Sequence, residues 1–317
     1  MKILAFLMLL VWPVRFENQS TVGIRVLNPA MVETINDENI YNFYQGQIII
    51  VSLDEDLKTQ KRMWWINALV LGETYQFNHN GIALVGIGMK MEPGEYAICL
   101  EFRCNDLDRK NELRIRILKT EFPKTRTSPY IGEPALRRDK QKNAIDDAFG
   151  QNRSEDDLTK GRSYVDPLDI ARDVSDPFGL IYGNNEYRTH SGADLKAKVG
   201  TSVKVVNRGK IILVAKMFRR EGNMVIISHG MDVFSVYMHL SKFGWIEVTE
   251  KTKKGKIVKT KRQLKVGDIV ERGQNIGLSG TTGAGAKRVK HLHYSLRIKD
   301  NYVDPLYFID TVNKYLK

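Results

Sequence analysis

The sequence predicts a mainly β protein, with an N-terminal β-sandwich of Ig-like character and a C-terminal antiparallel β domain joined by a partly helical linker. Three observations lead to this fold class. Short apolar runs alternate with turn residues over residues 20–119, a pattern typical of β-sandwiches. The C-terminal part carries further strand-length apolar runs and few helix-length periodic segments. A proline-containing, charged stretch with little apolar content separates the two parts.

The chain length of 317 residues allows two or three domains, each large enough to bury a core. We place the Ig-like sandwich at residues 17–120, a linker or strap at 121–174 and the C-terminal domain at 175–317. The predicted strands of the sandwich are residues 22–27, 47–53, 63–71, 81–89, 95–102 and 113–118.

Residues 1–16 are predicted to be a signal peptide. Lys2 precedes an apolar run over residues 3–12, and Pro13 ends it. This run is too short to span a bilayer, so no transmembrane segment is predicted. No small-x-small cleavage pattern precedes Glu17, and the alternative is a buried first strand. The signal-peptide interpretation predicts an exported protein.

The segment 121–174 differs in composition from both flanking parts. A charged run at 137–147 suits a short helix, and a polar tract follows at 150–161. The segment is either a strap over the C-terminal domain, where it could inhibit, or a solvated connector. Its composition favours the connector.

The C-terminal domain contains the candidate functional residues. Its predicted strands are residues 202–206, 210–215, 224–229, 233–239 and 293–298. Both cysteines lie elsewhere, so a metal bound here would have nitrogen and oxygen ligands. Five of the six histidines fall between Arg188 and Tyr294: His190, His229, His239, His291 and His293.

Two short motifs form a candidate metal-ligand set. Residues two apart in a strand point to the same face, so His291 and His293 can face one cavity. His190 and Asp194 are four apart, and the intervening Gly192 favours a loop or a strand end. Two histidines and one carboxylate are a three-ligand zinc set that leaves a fourth position for water. Each motif alone is a weak signal, and the ordered motifs around them make the pattern specific.

The order of these motifs resembles peptidase family M23, the lysostaphin- and LytM-type zinc metallopeptidases. The resemblance covers about residues 175–310. A looser resemblance relates residues 83–96 to the all-β domain that precedes the peptidase in some family members. The matching motifs are His190-Ser-Gly192-Ala-Asp194, Gly200-Thr-Ser-Val203, Tyr237-Met-His239-Leu240, a glycine pattern from Val270 to Gly283, His291-Leu-His293 and Asp304-Pro305.

The resemblance implies roles for five residues. His190, Asp194 and His293 would bind one Zn²⁺ per chain, and His239 and His291 would be catalytic, close to the metal-bound water. Zinc lowers the pKa of such a water, and an imidazole can take its proton and pass it to the leaving amine. His229, which precedes Gly230 at a turn, is assigned a structural role.

The resemblance also implies a function. The expected activity is hydrolysis of peptide cross-links in bacterial peptidoglycan, as a D,D-endopeptidase or carboxypeptidase, in the periplasm or at the cell wall. The alternative is a non-catalytic LytM-like regulator or a wall-binding module that retains the fold. Such members usually lack one or more of the five polar positions, and this chain has all five, which favours the enzyme.

The charge of the chain predicts anionic partners. The net charge is +12 and the isoelectric point is near 9.5. No RNP-like, zinc-finger or helix-turn-helix signature is present, so nucleic acid is not an expected partner. Residues 246–265 carry seven Lys and one Arg against two Glu, with a turn at Lys253-Lys254-Gly255. We interpret them as an inserted basic hairpin, which either binds anionic wall polymer or another partner, or is a solvated protrusion.

Overall fold

The computed structural model describes residues 24–35, 38–54, 67–70, 72–104, 107–125, 135–153, 156–183, 189–251, 257–284 and 290–316. The predicted signal peptide, 1–16, and the predicted hairpin turn at 253–255 lie outside these residues. Within them, no helix is long and apolar enough to cross a membrane.

The N-terminal half consists of short strands, as predicted. They are β1 (Ile24–Val26), β2 (Met31–Ile35), β3 (Glu38–Tyr44), β4 (Ile48–Leu53), β5 (Asn67–Val70), β6 (Glu73–Gln76), β7 (Ile82–Gly86), β8 (Gly94–Cys104), β9 (Leu107–Leu118) and β10 (Lys124–Thr125).

Two sheets form the N-terminal sandwich. One has three strands in the order β1-β4-β7, and the other has six in the order β2-β3-β9-β8-β5-β6. Each of the six predicted apolar runs contains a strand, and β2, β3 and β6 are additional. The pairing is antiparallel except for β3 with β9, which is parallel, whereas an Ig-like sandwich has antiparallel sheets. Every residue of β4 is buried, so this central strand is covered on both faces.

The segment between the two β parts packs on the C-terminal domain where the structure describes it. Its helix, α1 (Ala135–Gly150), is longer than the predicted run at both ends. The Phe149 ring lies edge-on to Phe234, with ring centroids 5.1 Å apart. Further along, the Leu158 amide donates to the carbonyl of His229 at 3.0 Å. These contacts correspond to a strap, and the solvated connector favoured by composition is wrong for the described residues.

The C-terminal part is also mainly β. Its strands are β11 (Val174–Asp176), β12 (Ile181–Tyr182), β13 (Ala193–Lys196), β14 (Ser202–Lys204), β15 (Gly209–Phe218), β16 (Gly222–Ser228), β17 (Val233–Leu240), β18 (Lys242–Phe243), β19 (Trp245–Lys251), β20 (Ile257–Gln263), β21 (Ile269–Val270), β22 (Asn275–Leu278), β23 (His291–Ile298) and β24 (Asn301–Val303), and the helix α2 (Pro305–Tyr315) follows them.

One eight-stranded antiparallel sheet organises this part. Its order is β11-β13-β23-β17-β16-β15-β21, and β24 pairs with the end of β23. Smaller sheets join β14, β22 and β18, and separately β19 with β20 and β10 with β12. The antiparallel β19 and β20 are the arms of the predicted basic hairpin. Asp304 caps α2 by accepting from the amides of Leu306 and Tyr307, and Pro305 occupies the first turn.

The two faces of the large sheet differ in what covers them. Tyr294 and Leu296 of β23 belong to the main hydrophobic core, which extends into the N-terminal sandwich. Strand alternation turns His293 and Ser295 to the opposite face. Their register partners there are Met238 and Val236, and Val236 belongs to the second core under α1.

Candidate metal centre

His190, Asp194 and His293 come together because of strand pairing. β13 and β23 are antiparallel neighbours, and their register places Asp194 directly beside His293. His190 lies in the segment that precedes β13. Its backbone is fixed by two hydrogen bonds, from its own amide to the Leu180 carbonyl and from the Gly179 amide to its carbonyl, at 2.9 and 2.8 Å.

The three side chains form a tight, buried triangle. His190 Nε2 and His293 Nδ1 lie 3.0 and 2.8 Å from Asp194 Oδ1, and 2.9 Å from each other. Their side chains are no more than 9% exposed. Zinc bonds of about 2.0–2.1 Å in tetrahedral geometry place ligand atoms about 3.3 Å apart. The triangle is close to that size, so these residues could hold a metal ion.

Hydrogen bonds behind the rings orient them for a cation. Nδ1 of His190 lies 2.9 Å from the Pro177 carbonyl, which can only accept, so Nδ1 carries a hydrogen. In the neutral ring, Nε2 then presents a lone pair to the cluster. Nε2 of His293 lies 2.7 Å from Ser295 Oγ, and its Nδ1 faces Asp194. Two ring nitrogens and a carboxylate oxygen converge on one point, which is the donor set that zinc prefers.

Burial and mutual hydrogen bonding set the charges of the cluster. Burial raises the pKa of Asp194, but hydrogen bonds from His190 and His293 outweigh it and hold that pKa well below the ordinary value. Burial lowers the pKa of His190, yet the hydrogen bond and the attraction to Asp194 leave it above the ordinary value. For His293 burial prevails, and its pKa is lowered. Asp194 is therefore ionised at neutral pH, a buried negative charge that a cation would balance.

His239 and His291 lie beside the triangle. Their rings meet edge-to-face with centroids 4.9 Å apart, and the His239 ring is 6.1 Å from that of His293. His291 Nε2 lies 3.3 Å from Asp194 Oδ2. All five polar residues of the motifs are thus brought together, and each is at most 7% exposed.

The backbone of His239 explains how its ring reaches the site. Simple alternation along β17 would turn His239 to the same face as Tyr237, into the main core. Its φ of 65° is left-handed, which is uncommon for a residue other than glycine, and this breaks the alternation. Its amide donates to the Glu221 carbonyl at 3.0 Å, and its Nδ1 donates to the Thr282 carbonyl at 2.9 Å. Both contacts hold the ring toward His291.

The environment of His239 keeps its ring neutral. Burial, together with repulsion from His293 and His291 when these are charged, lowers the pKa of His239 to about 3. Because Nδ1 donates to a carbonyl, the free lone pair of the neutral ring is on Nε2. The site therefore contains an unprotonated imidazole next to three candidate metal-ligand atoms, an arrangement suited to proton transfer.

His229 occupies a separate, structural position. Its Nδ1 donates to the Arg208 carbonyl at 2.9 Å, and its Nε2 lies 2.8 Å from Ser235 Oγ. Burial lowers its pKa to about 4. Both nitrogens are engaged within the fold, in agreement with the structural role assigned from the sequence.

Sequence reasoning missed the groups that support the ligands. These are the carbonyls of Pro177 and Thr282 and the hydroxyl of Ser295. Carbonyl partners leave no signal in residue identity. For Ser295 the sequence did contain a signal, because this residue lies two positions after His293 on the same strand face. A serine in a strand is too common for that signal to identify a supporting residue.

Comparisons with known proteins find a family-model match and several similar proteins. The model of peptidase family M23 matches residues 188–261 and 258–305. An uncharacterized metalloprotease of Haemophilus influenzae is 30% identical over 167 residues, which is 51% of this chain and 31% of that protein. Peptidoglycan DD-endopeptidase ShyA of Vibrio cholerae is 33% identical over 133 residues, 41% of this chain and 25% of that protein. The matches span about a third or less of these relatives' lengths.

A solved structure shows the same fold over a larger part of the chain. A crystal structure assigned to peptidase M23 from Pseudomonas aeruginosa has a TM-score of 0.55 and 24% sequence identity, and the match covers 84% of this chain and 94% of that one. The fold likeness therefore extends beyond the residues that the family model matches. The ordered motifs, the family-model match over residues 188–305 and the buried His-Asp-His cluster together make this part of the chain similar to peptidase family M23.

Proposed function

We propose that the protein is a zinc-dependent endopeptidase that hydrolyses peptide cross-links of bacterial peptidoglycan. The observation that carries the proposal is the convergence of five buried polar side chains, three as a metal-ligand triangle and two as flanking imidazoles. The name of the Vibrio cholerae relative supports the substrate. Because peptidoglycan lies outside the cytoplasmic membrane, the proposal includes export to the periplasm or the cell wall.

His190, Asp194 and His293 would hold one zinc ion. Zinc supplies Lewis-acid polarisation of a scissile carbonyl and acidifies a water molecule. Asp194 contributes the negative charge, and the Pro177 carbonyl and Ser295 hydroxyl keep the two rings turned toward the ion.

His239 and His291 would move protons. The neutral Nε2 of His239 accepts a proton from the attacking water, while the Thr282 carbonyl holds the opposite nitrogen. The His239–His291 pair then returns a proton to the leaving amine of the cleaved peptide. Burial of both rings restricts solvent competition for that proton.

A non-catalytic regulator with the same fold is the second candidate. It would need the fold but not the flanking imidazoles. The edge-to-face contact of His239 with His291, held by the left-handed backbone of His239, favours the enzyme, because partner binding alone does not require two paired buried imidazoles.

Digestion of purified peptidoglycan tests the proposal. The full chain, loaded with zinc, is expected to bind about one zinc and to release soluble fragments whose masses show hydrolysed peptide cross-links. Chelation should stop the release, and added zinc should restore it. Zinc binding without any released fragment would favour the regulator, and failure to bind zinc would contradict the proposed zinc enzyme.

The basic hairpin is proposed to bind anionic wall polymer. Its arms pair in register from Trp245↔Gln263 to Lys251↔Ile257, as a separate two-stranded sheet. The Lys261 side chain is 69% exposed, and its Nζ lies 3.7 Å from Glu247 Oε1, which makes a weak surface ion pair. Trp245, at the base of the hairpin, is 60% exposed and offers a flat apolar surface beside the lysines. Positive charge with an exposed aromatic ring suits an acidic polymer.

A further inference from the structure

Ser295 and His293 form a buried side-chain pair on one strand. They lie two residues apart in β23, so both side chains point to the face that carries the cluster. Ser295 is fully buried, and its Oγ lies 2.7 Å from His293 Nε2. The other ring nitrogen, Nδ1, lies 2.8 Å from Asp194 Oδ1 and 2.9 Å from His190 Nε2. The hydroxyl therefore contacts the one ring nitrogen that does not face the ligand triangle.

We propose that Ser295 is a positioning residue of the metal centre, whose hydroxyl holds the His293 ring with Nδ1 turned into the cluster and satisfies Nε2 in either tautomer of the ring. This inference rests on the proposed function, because it concerns the zinc ligand His293.

A hydroxyl suits this position because it both donates and accepts. When Nδ1 carries a hydrogen, that hydrogen donates to Asp194, and the Ser295 hydroxyl donates to Nε2. When a cation occupies the cluster, Nδ1 must present its lone pair, and Nε2–H donates to Ser295 Oγ instead. Rotation of one O–H bond serves both states without moving the ring. A side chain that only donates or only accepts would favour one of them.

Gly192 provides the space for this pair. A Cβ atom at position 192 would overlap the Ser295 hydroxyl and the Tyr294 carbonyl, and it would lie 2.9 Å from His293 Nε2. The glycine between His190 and Asp194 therefore lets the strand carrying Asp194 approach the serine-histidine pair closely. This contact gives a physical reason for the glycine in the H-x-G-x-D motif.

The same sheet contains a matched pair away from the cluster. Ser235 on β17 is also fully buried, and its Oγ lies 2.8 Å from Nε2 of the buried His229. Ser235→Ala removes an equivalent serine–histidine hydrogen bond from the protein, but the histidine concerned is not a ligand candidate. It is therefore the control for effects of lost stability.

Zinc affinity measured by competition with a chromophoric chelator tests the inference. Ser295→Ala is expected to weaken zinc binding by about 10- to 100-fold, as loss of a ligand-orienting partner does in metal sites, whereas Ser235→Ala should bind zinc like the parent. The visible spectrum of the cobalt-substituted protein should change in Ser295→Ala and not in the control. Equal zinc affinity in both alanine variants would overturn the inference.

Two isosteric variants keep the test independent of the cavity that alanine leaves. Ser295→Thr retains the hydroxyl and adds a methyl group. Ser295→Val has the shape of the threonine variant but lacks the hydroxyl. The threonine variant should bind zinc at least tenfold more tightly than the valine variant, and equal affinities would refute a role for the hydroxyl. If the parent protein binds no zinc, the proposed function fails. If the parent binds zinc but the two variants match, only this inference fails.

Discussion

At the scale of single residues, burial and hydrogen-bond partners together set protonation in this protein. The His190 and His293 rings are buried beside the Asp194 carboxylate, while the buried His239 and His229 donate through Nδ1 to backbone carbonyls. The first two therefore face an anion, and the last two are held neutral. The same residue type thus supplies candidate metal ligands, a candidate proton acceptor and a structural hydrogen-bonding group.

The pH dependence of stability should reveal the buried neutral His229. Its pKa is about 4 in the folded protein against an ordinary value of 6.5. Between these values the unfolded chain binds a proton that the folded chain does not, so stability falls as the pH drops from 6.5 to 4. The difference amounts to about 3 kcal/mol. Urea unfolding with chelator present measures the free energy of unfolding at pH 7 and pH 4. The decrease between the two pH values should be smaller in His229→Gln than in the parent. Equal losses would contradict the assignment.

The meeting of the candidate metal-ligand residues could be predicted because their spacing matches strand geometry. His291 and His293 share a face by alternation, and Asp194 lies in the neighbouring strand. The position of the His239 ring could not be obtained in this way. It depends on a left-handed backbone and on carbonyls of Glu221 and Thr282 that residue identity does not encode.

At the scale of elements, apolar runs predicted strands that are buried and missed strands that are exposed. β4 is buried throughout and was predicted, whereas β2 is an edge strand with most residues exposed. In β3, Asn39 and Asn42 interrupt the apolar residues. The Asn42 side-chain amide donates to the Glu33 carboxylate on the neighbouring strand β2. Such strands are stabilised by neighbours in the sheet, which a single-sequence pattern does not contain.

For the helix α1, the sequence predicted the element but not its packing. A charged run predicted its existence, but nothing in that run predicted that Ala148 and Phe149, at its end, would join the core beneath it. Arg297 of β23 also stacks on the Phe149 ring, 4.1 Å from its centroid. Through tertiary contacts of this kind, a segment of largely polar composition packs against the C-terminal part as a strap.

Charge reversal on the basic hairpin tests its proposed partner. Lys259→Glu with Lys261→Glu should weaken binding to an anionic wall polymer by about tenfold at low ionic strength, because each exposed pair is worth up to about 1 kcal/mol. Binding by the parent should also fall as salt is raised. Lys119→Glu with Lys142→Glu changes the net charge equally at exposed positions elsewhere and should bind like the parent. If both double variants lose the same affinity, the hairpin has no specific role.

At the scale of the whole molecule, the sandwich and the C-terminal part share one core. Buried residues of β4, β7 and β23 belong to a single hydrophobic cluster. The Asp304 amide donates to the Gly46 carbonyl at 2.8 Å, a backbone bond between the two parts. A Cβ at Gly86 would come within 3.1 Å of Ile298 Cβ, so the interface is closely packed. Domain boundaries read from composition do not predict this contact, because it joins residues far apart in the chain.

Calorimetry should therefore record one unfolding transition for the chain. Gly86→Leu is expected to overpack the interface, to destabilise the protein by about 1–3 kcal/mol and to separate a second transition. Gly150→Leu is the control, since an added Cβ there meets no atom within 4 Å. Two transitions in the parent protein would show instead that the sandwich and the C-terminal part unfold independently.

The most direct test of the proposed zinc chemistry compares two neighbouring histidines on β23. His293→Ala should lose bound zinc and all cleavage of a defined cross-linked muropeptide, because it removes a ligand. His291→Ala should retain about one zinc per chain and lose turnover, because it removes a proton-transfer group but leaves the ligand triangle. Zinc content by atomic spectroscopy and product masses from the same preparations report both quantities. Cleavage at the parental rate by His291→Ala, or a full zinc complement in His293→Ala, would contradict the account.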